Sequence, residues 1–137
     1  RDRIYHVPGH TLGHIFFDFF KDKIIFTGDT LFSLGCGRIF EGSYEQMYNS
    51  LQIFKNLDKD TKIYCGHEYT LKNAEFCLAH DTSNTKLLNK VEEIKEKIKL
   101  GKTSMPSTIG EELDCNIFLK SNDLENFKKL RDLKDNF

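Results

Sequence analysis

Three short stretches do most to constrain what this 137-residue chain can fold into: "PGHTLGH" at 8–14, "FTGDTLF" at 26–32 and "YCGHEYT" at 64–70. Each sets a glycine directly before or close to a histidine or an aspartate, and the last two follow β-prone runs. A strand that ends in a glycine turn is a rigid platform for the next side chain. A fold that uses all three brings strand ends together, with His10, Asp29 and His67 as candidates for one site. Two imidazoles and a carboxylate suit zinc, iron or manganese. Taken singly, each has a plainer reading. Asp29 in G-D-T can be an Asx turn, and a lone histidine is ordinarily a surface or core residue. His6 and His14 are given that plainer reading, with His14 alternatively a group that orients a ligand. Spacings of four would stack His6, His10 and His14 on one helix face. Pro8, Gly9 and Gly13 disfavour a helix there, so the run reads as a loop that aims each histidine differently.

Around these stretches the sequence predicts its elements. Short β-prone runs cover 4–7, 15–20 and 23–27, the last two forming a hairpin or two adjacent strands across "KDK". The glycine-rich "GDTLFSLGCGRIFEG" reads as a long loop. Ser43 and Gln46 have capping-box spacing before a helix with Tyr44, Met47, Leu51 and Phe54 on one face. A strand over 61–65 stops at Gly66, and 70–80 reads as helix. Beyond it Leu87, Val91, Ile94 and Ile98 recur at helical spacing as far as Gly101. A short helix is expected over 109–113, and Asn122 with Glu125 is expected to cap a last helix. Strands and helices thus alternate to about Glu68, and the remainder is nearly all helix.

Charge and composition exclude some classes. The formal net charge is −1 with both signs spread along the chain, so no basic stripe exists for nucleic acid. No apolar run reaches the ~18 residues of a membrane span. Cys36, Cys65, Cys77 and Cys115 form no C-x-x-C pair and read as reduced cysteines, which predicts a cytoplasmic protein, with an organellar form left open. A monomer is expected.

The three glycine-anchored stretches, in this order, resemble the third, fourth and fifth metal motifs of the metallo-β-lactamase fold. "GDTLFSLGCGRIFEG" and "YCGHEYT" narrow the resemblance to glyoxalase II, hydroxyacylglutathione hydrolase. "MPSTIGEE" and "RDLKDNF" match that family's helical substrate domain. The resemblance covers essentially the whole chain. It implies an α+β architecture: a partial metallo-β-lactamase fold, the αββα half, over 1–69, followed by an all-helical glutathione-binding domain over 70–137. It implies two divalent metals, zinc or alternatively iron or manganese, with His10 on the first, His67 on the second and Asp29 bridging both. Arg38, Tyr69, Arg131 and Lys134 fall where the family contacts glutathione. Residues 131 and 134 are three apart and share a helix face. Without the resemblance they would read as a solvated basic face beside Lys128 and Lys129. Two departures stand out. Phe40 replaces a tyrosine usual in the family, and the T-H-x-H-x-D-H motif is absent, so the chain is expected to begin in mid-domain.

The implied activity is hydrolysis of S-(2-hydroxyacyl)glutathione, such as S-lactoylglutathione, to glutathione and a 2-hydroxy acid. Two metals about 3.5–4 Å apart would share a hydroxide, their bound water having a pKa of about 7. This piece alone is expected to be inactive. One alternative is a mononuclear iron enzyme similar to the persulfide dioxygenases of the same fold, against which "RDLKDNF" argues. The other is a non-catalytic fragment that binds glutathione conjugates.

Overall fold

The β-prone runs at the start become strands β1 (Asp2–His6), β2 (Ile15–Phe19) and β3 (Ile24–Gly28), with a 3-10 turn (Phe20–Asp22) before the last. The structure, a computed structural model, describes residues 2–6, 8 and 15–137, with side chains at 8 and from 21 onward. His10 lies outside the described residues, as do the side chains of His6 and His14. β1 pairs antiparallel with β2, and β2 antiparallel with β3. After β3 the chain makes a small hairpin, β4 (Leu31–Phe32) and β5 (Gly35–Cys36), then helix α1 (Tyr44–Lys55), then β6 (Lys62–Cys65). β6 returns parallel to β3, as a strand–helix–strand crossover allows. The helical part comprises α2 (Thr70–His80), α3 (Thr85–Lys99), α4 (Ile109–Cys115), α5 (Ile117–Lys120) and α6 (Leu124–Asp135).

Local chemistry explains the helix ends. Ser43 Oγ accepts from Gln46 N at 3.1 Å while Gln46 Oε1 accepts from Ser43 N at 2.9 Å, a reciprocal cap. Asn84 caps α3, which buries Leu87, Lys90, Val91 and Ile94 and stops before Gly101 at φ +76°. One core joins the two parts of the chain: Ile25 and Ile63 from the sheet, Met47, Leu51 and Phe54 from α1, and Phe76, Phe118 and Phe127 from the helical part. Among the described residues no helix is long and apolar enough to cross a membrane.

Three local expectations need amending. The 28–42 loop contains the β4–β5 hairpin, with Leu34 in the left-handed region at φ 61°. The residues after the cis Met105–Pro106 bond add a two-residue strand, β7 (Ser107–Thr108), antiparallel to β6, so the sheet order is β1-β2-β3-β6-β7. The cap of α6 is Asp123 rather than Asn122, because the Asp123 carboxylate accepts from Asn126 N at 2.7 Å.

Candidate active site

The parallel pairing of β3 and β6 sets the carboxyl ends of two strands side by side. Gly28 faces Cys65, the register shifts after Phe26, and Gly66 N donates to Gly28 O at 2.7 Å. Loops at the carboxyl ends of adjacent parallel strands are where α/β sheets place their ligands. Asp29 follows β3 directly, and His67 lies two residues beyond the end of β6. His67 Nδ1 lies 2.7 Å from Asp29 Oδ1. A Cβ on Gly66 would meet Asp29 Oδ1 at 2.8 Å and the Gly28 carbonyl oxygen at 3.0 Å, so the carboxylate holds this position only beside a glycine. The His67 ring stacks on Tyr69, centroids 5.0 Å apart, and Phe32 sits edge-on to both rings.

Asp29, His67 and Tyr69 line one cavity of about 300 Å³ together with Arg38, Arg131 and Lys134. That size is at the lower end for small-molecule sites. Three cations share this wall system. Arg131 is 4 % exposed: its guanidinium donates to Cys36 O at 2.8 Å and to Asp135 Oδ1 at 2.8 Å from Nη2 and 3.1 Å from Nε, and stands over the Phe118 ring. It is therefore no solvated basic face. Arg38 Nε lies 3.4 Å from the same Asp135 oxygen. Burial, then the Arg131 and Arg38 charges, push the Lys134 ammonium below its usual pKa, which makes it a cation that gains from an anionic partner. Phe40, 66 % exposed, also lines the cavity and brings no hydroxyl.

The imidazole and carboxylate that meet at 2.7 Å form a donor pair of the type borderline divalent cations take. They fit as part of such a set; among the described residues no third histidine, cysteine or carboxylate joins them. Of the residues singled out in the sequence, the structure brings Asp29, Arg38, His67, Tyr69, Arg131 and Lys134 to one cavity, while His10 lies outside the described residues. Sequence reasoning does not find Asp135, which bridges two of the cations, or Asn73, which also lines the cavity. Asp135 stands within "RDLKDNF" but reads there as an exposed helix-end acid, and Asn73 gives no signal at all.

Residues 1–67 match the family model described as "Metallo-beta-lactamase superfamily", which defines the fold class and implies binding of a divalent metal. Residues 68–137 match "Hydroxyacylglutathione hydrolase C-terminus", and the chain belongs to the hydroxyacylglutathione hydrolase family. It is 62 % identical over 135 residues to the hydroxyacylglutathione hydrolase of Pelagibacter ubique, covering 98 % of this chain and 56 % of the relative. With the enzyme of the same name from Prochlorococcus marinus it shares 48 % over 134 residues, covering 97 % of this chain and 54 % of that one. Among solved structures it is similar to ETHE1 from Myxococcus xanthus, with TM-score 0.65 and 25 % identity over 96 % of this chain and 44 % of that one. The chain thus spans about half the length of the curated relatives it matches.

Proposed function

We propose that this chain is part of a thioester hydrolase that converts S-(2-hydroxyacyl)glutathione, such as S-lactoylglutathione, to glutathione and the 2-hydroxy acid. The observation that carries the reading is one cavity lined by the Asp29–His67 pair and by Arg38, Arg131 and Lys134. The family to which residues 68–137 belong supports the same substrate class. Glutathione carries two carboxylates, and guanidinium and ammonium groups bind carboxylates through charge-assisted hydrogen bonds. Lys134 and Arg38 take the anionic end, Arg131 adds its charge from the wall, and Tyr69 packs the thioester side beside His67.

Asp29 and His67, with His10 and the ligands of a T-H-x-H-x-D-H half, would hold two divalent metals, zinc or alternatively iron or manganese. When bound, these supply Lewis acidity and a water acidic enough to attack at neutral pH. The residues of this chain bind and orient. The cations fix the peptide so that the thioester carbonyl lies near Asp29 and His67, and Phe32 and Tyr69 hold the His67 ring from two sides. Hydrolysis adds water oxygen to the carbonyl carbon and breaks the C–S bond. The electron pair leaves on sulfur, and the glutathione thiolate departs. Residues 1–69 serve mainly the metals and residues 70–137 mainly the peptide, and this chain without the remaining ligands is not expected to turn over.

The test compares S-lactoylglutathione with an S-lactoyl thioester of N-acetylcysteamine, which lacks both carboxylates, on the complete protein. Strong preference for the glutathione thioester supports the reading. Equal kcat/KM for the two would show that the cations do not recognise substrate.

A further inference from the structure

The β4–β5 hairpin is built in an unusual way: side chains from the helical part satisfy much of its backbone. Asn116 Nδ2 donates to Phe32 O at 3.2 Å and to Gly35 O at 3.0 Å. Asn73 Nδ2 donates to Ser33 O at 3.1 Å, an approach open only because residue 35 is glycine: a Cβ there would meet Asn73 Nδ2 at 2.7 Å. Cys77 Sγ reaches Leu34 O at 3.3 Å, and Leu34 N donates to Glu112 Oε1 at 2.7 Å.

Two independent features single out Glu112. Leu34 is fully buried and left-handed at φ 61°, a conformation that a bulky residue keeps only when its surroundings impose it. Glu112 is itself 0 % exposed, and its carboxylate receives more than the hairpin amide. Oε1 also accepts from Asn116 Nδ2 at 3.1 Å; Oε2 accepts from Ser33 Oγ at 3.2 Å and Ser107 Oγ at 2.5 Å, and Lys90 Nζ lies 3.6 Å from it. A buried carboxylate with four donors and one ammonium is a fixed point. What it fixes is the turn between the two ends of the site. The hairpin closes through Gly37 N donating to Thr30 O at 2.9 Å, with Asp29 just before that base and Arg38 just after it.

We propose that Glu112 is a positioning residue: through the strained Leu34 turn it sets where the hairpin holds Arg38 relative to Asp29, and so sets affinity for the glutathione moiety. This rests on the reading given under Proposed function. It adds a residue that touches neither substrate nor metal ligand.

The experiment uses the complete protein, with S-methylglutathione, a thioether that cannot be hydrolysed, as the calorimetric probe, and amide hydrogen exchange as a readout that needs no ligand. Glu112→Gln keeps one acceptor for the Leu34 amide and loses the other oxygen and the charge facing Lys90; Glu112→Ala loses everything. Expected are at least about tenfold faster exchange at Leu34 and Gly37 in Glu112→Ala, with a smaller increase in Glu112→Gln. Kd for the probe should rise about tenfold in the alanine variant and less in the glutamine variant. Val91→Ala, a core truncation away from the hairpin, should lower the melting temperature and leave Kd unchanged. In an Arg38→Ala background the effect of Glu112→Gln on Kd should largely vanish. Unchanged exchange at Leu34 in Glu112→Gln overturns the proposal even if the alanine variant fails to fold. So does an altered exchange with Kd unchanged, or an equal Kd effect with and without Arg38. If the unmutated protein does not bind the probe, the underlying hydrolase reading falls and the positioning role with it.

Discussion

A single methyl group at residue 66 would decide whether Asp29 keeps its place, since the Cβ would stand 2.8 Å from a carboxylate oxygen and 3.0 Å from backbone. Gly66→Ala is therefore expected to leave the fold nearly intact, by far-ultraviolet circular dichroism, yet to lose metal uptake and turnover in the complete protein. Retained metal content in a folded variant would mean that the carboxylate moves aside without consequence. Arg131 carries a double duty. Its removal leaves the Cys36 and Gly37 carbonyls without their donor and vacates the Phe118 face. Losing a charge-assisted hydrogen bond in a buried setting costs about 1.5–3 kcal/mol, so Arg131→Ala should be measurably less stable in a denaturant titration and also show raised KM. Arg131→Lys should recover part of the affinity through its charge but little of the stability, because one ammonium cannot span Cys36 O and Asp135.

At the scale of elements, the joints between helices carry pH dependence. Asp81 follows α2 and accepts from Lys120 Nζ at 2.7 Å and Asn84 Nδ2 at 2.9 Å, tying α2, the cap of α3 and the end of α5. Burial alone would raise the Asp81 carboxyl, but these hydrogen bonds and the Lys120 charge outweigh it and hold its pKa below the usual 3.8. A depressed folded pKa gives stability that is fully present above the unfolded value and is lost as pH falls through the folded one. Asp81→Asn should thus cost about 1 kcal/mol at neutral pH, and the gap to the unmutated protein should close as pH drops below the ordinary 3.8. Urea titrations at several pH values measure it; a gap that stays constant into acid would show that Asp81 acts as a neutral acceptor. The helices are legible in the sequence because their signals are local: the Ser43–Gln46 box, the 87–98 periodicity and Gly101. The β4–β5 hairpin is not, because its backbone partners Asn73, Cys77, Glu112, Asn116 and Arg131 lie dozens of residues away and leave no local trace.

Over the whole molecule, the division of labour follows the topology. One strand–helix–strand unit brings the ends of β3 and β6 together and so makes a donor pair from residues 38 positions apart. Asp29 and His67 are legible in the sequence alone, because each stands directly after the glycine that ends a β-prone run. The helical part then supplies two of the three cations, Arg131 and Lys134, and grips the hairpin that joins the two ends of the cavity. Arg131 and Lys134 can be picked out only through the resemblance, since basic residues crowd 128–134 and spacing alone does not say which face meets the cavity. Glu112 stands within "MPSTIGEE" and still passes for an exposed acid of a helix first turn, because nothing local marks a carboxylate as fully buried. One cavity holds both the Asp29–His67 pair, proposed to take metal, and the cations Arg38, Arg131 and Lys134, proposed to read glutathione. Steady-state kinetics of S-lactoylglutathione hydrolysis by the complete, metal-loaded protein separates the two roles, with Asp29→Ala and Lys134→Ala measured side by side. Asp29→Ala should lose turnover, while Lys134→Ala should keep kcat and raise KM about tenfold or more, the mark of binding common to ground and transition states. A retained kcat in Asp29→Ala, or a lowered kcat at unchanged KM in Lys134→Ala, would contradict these roles.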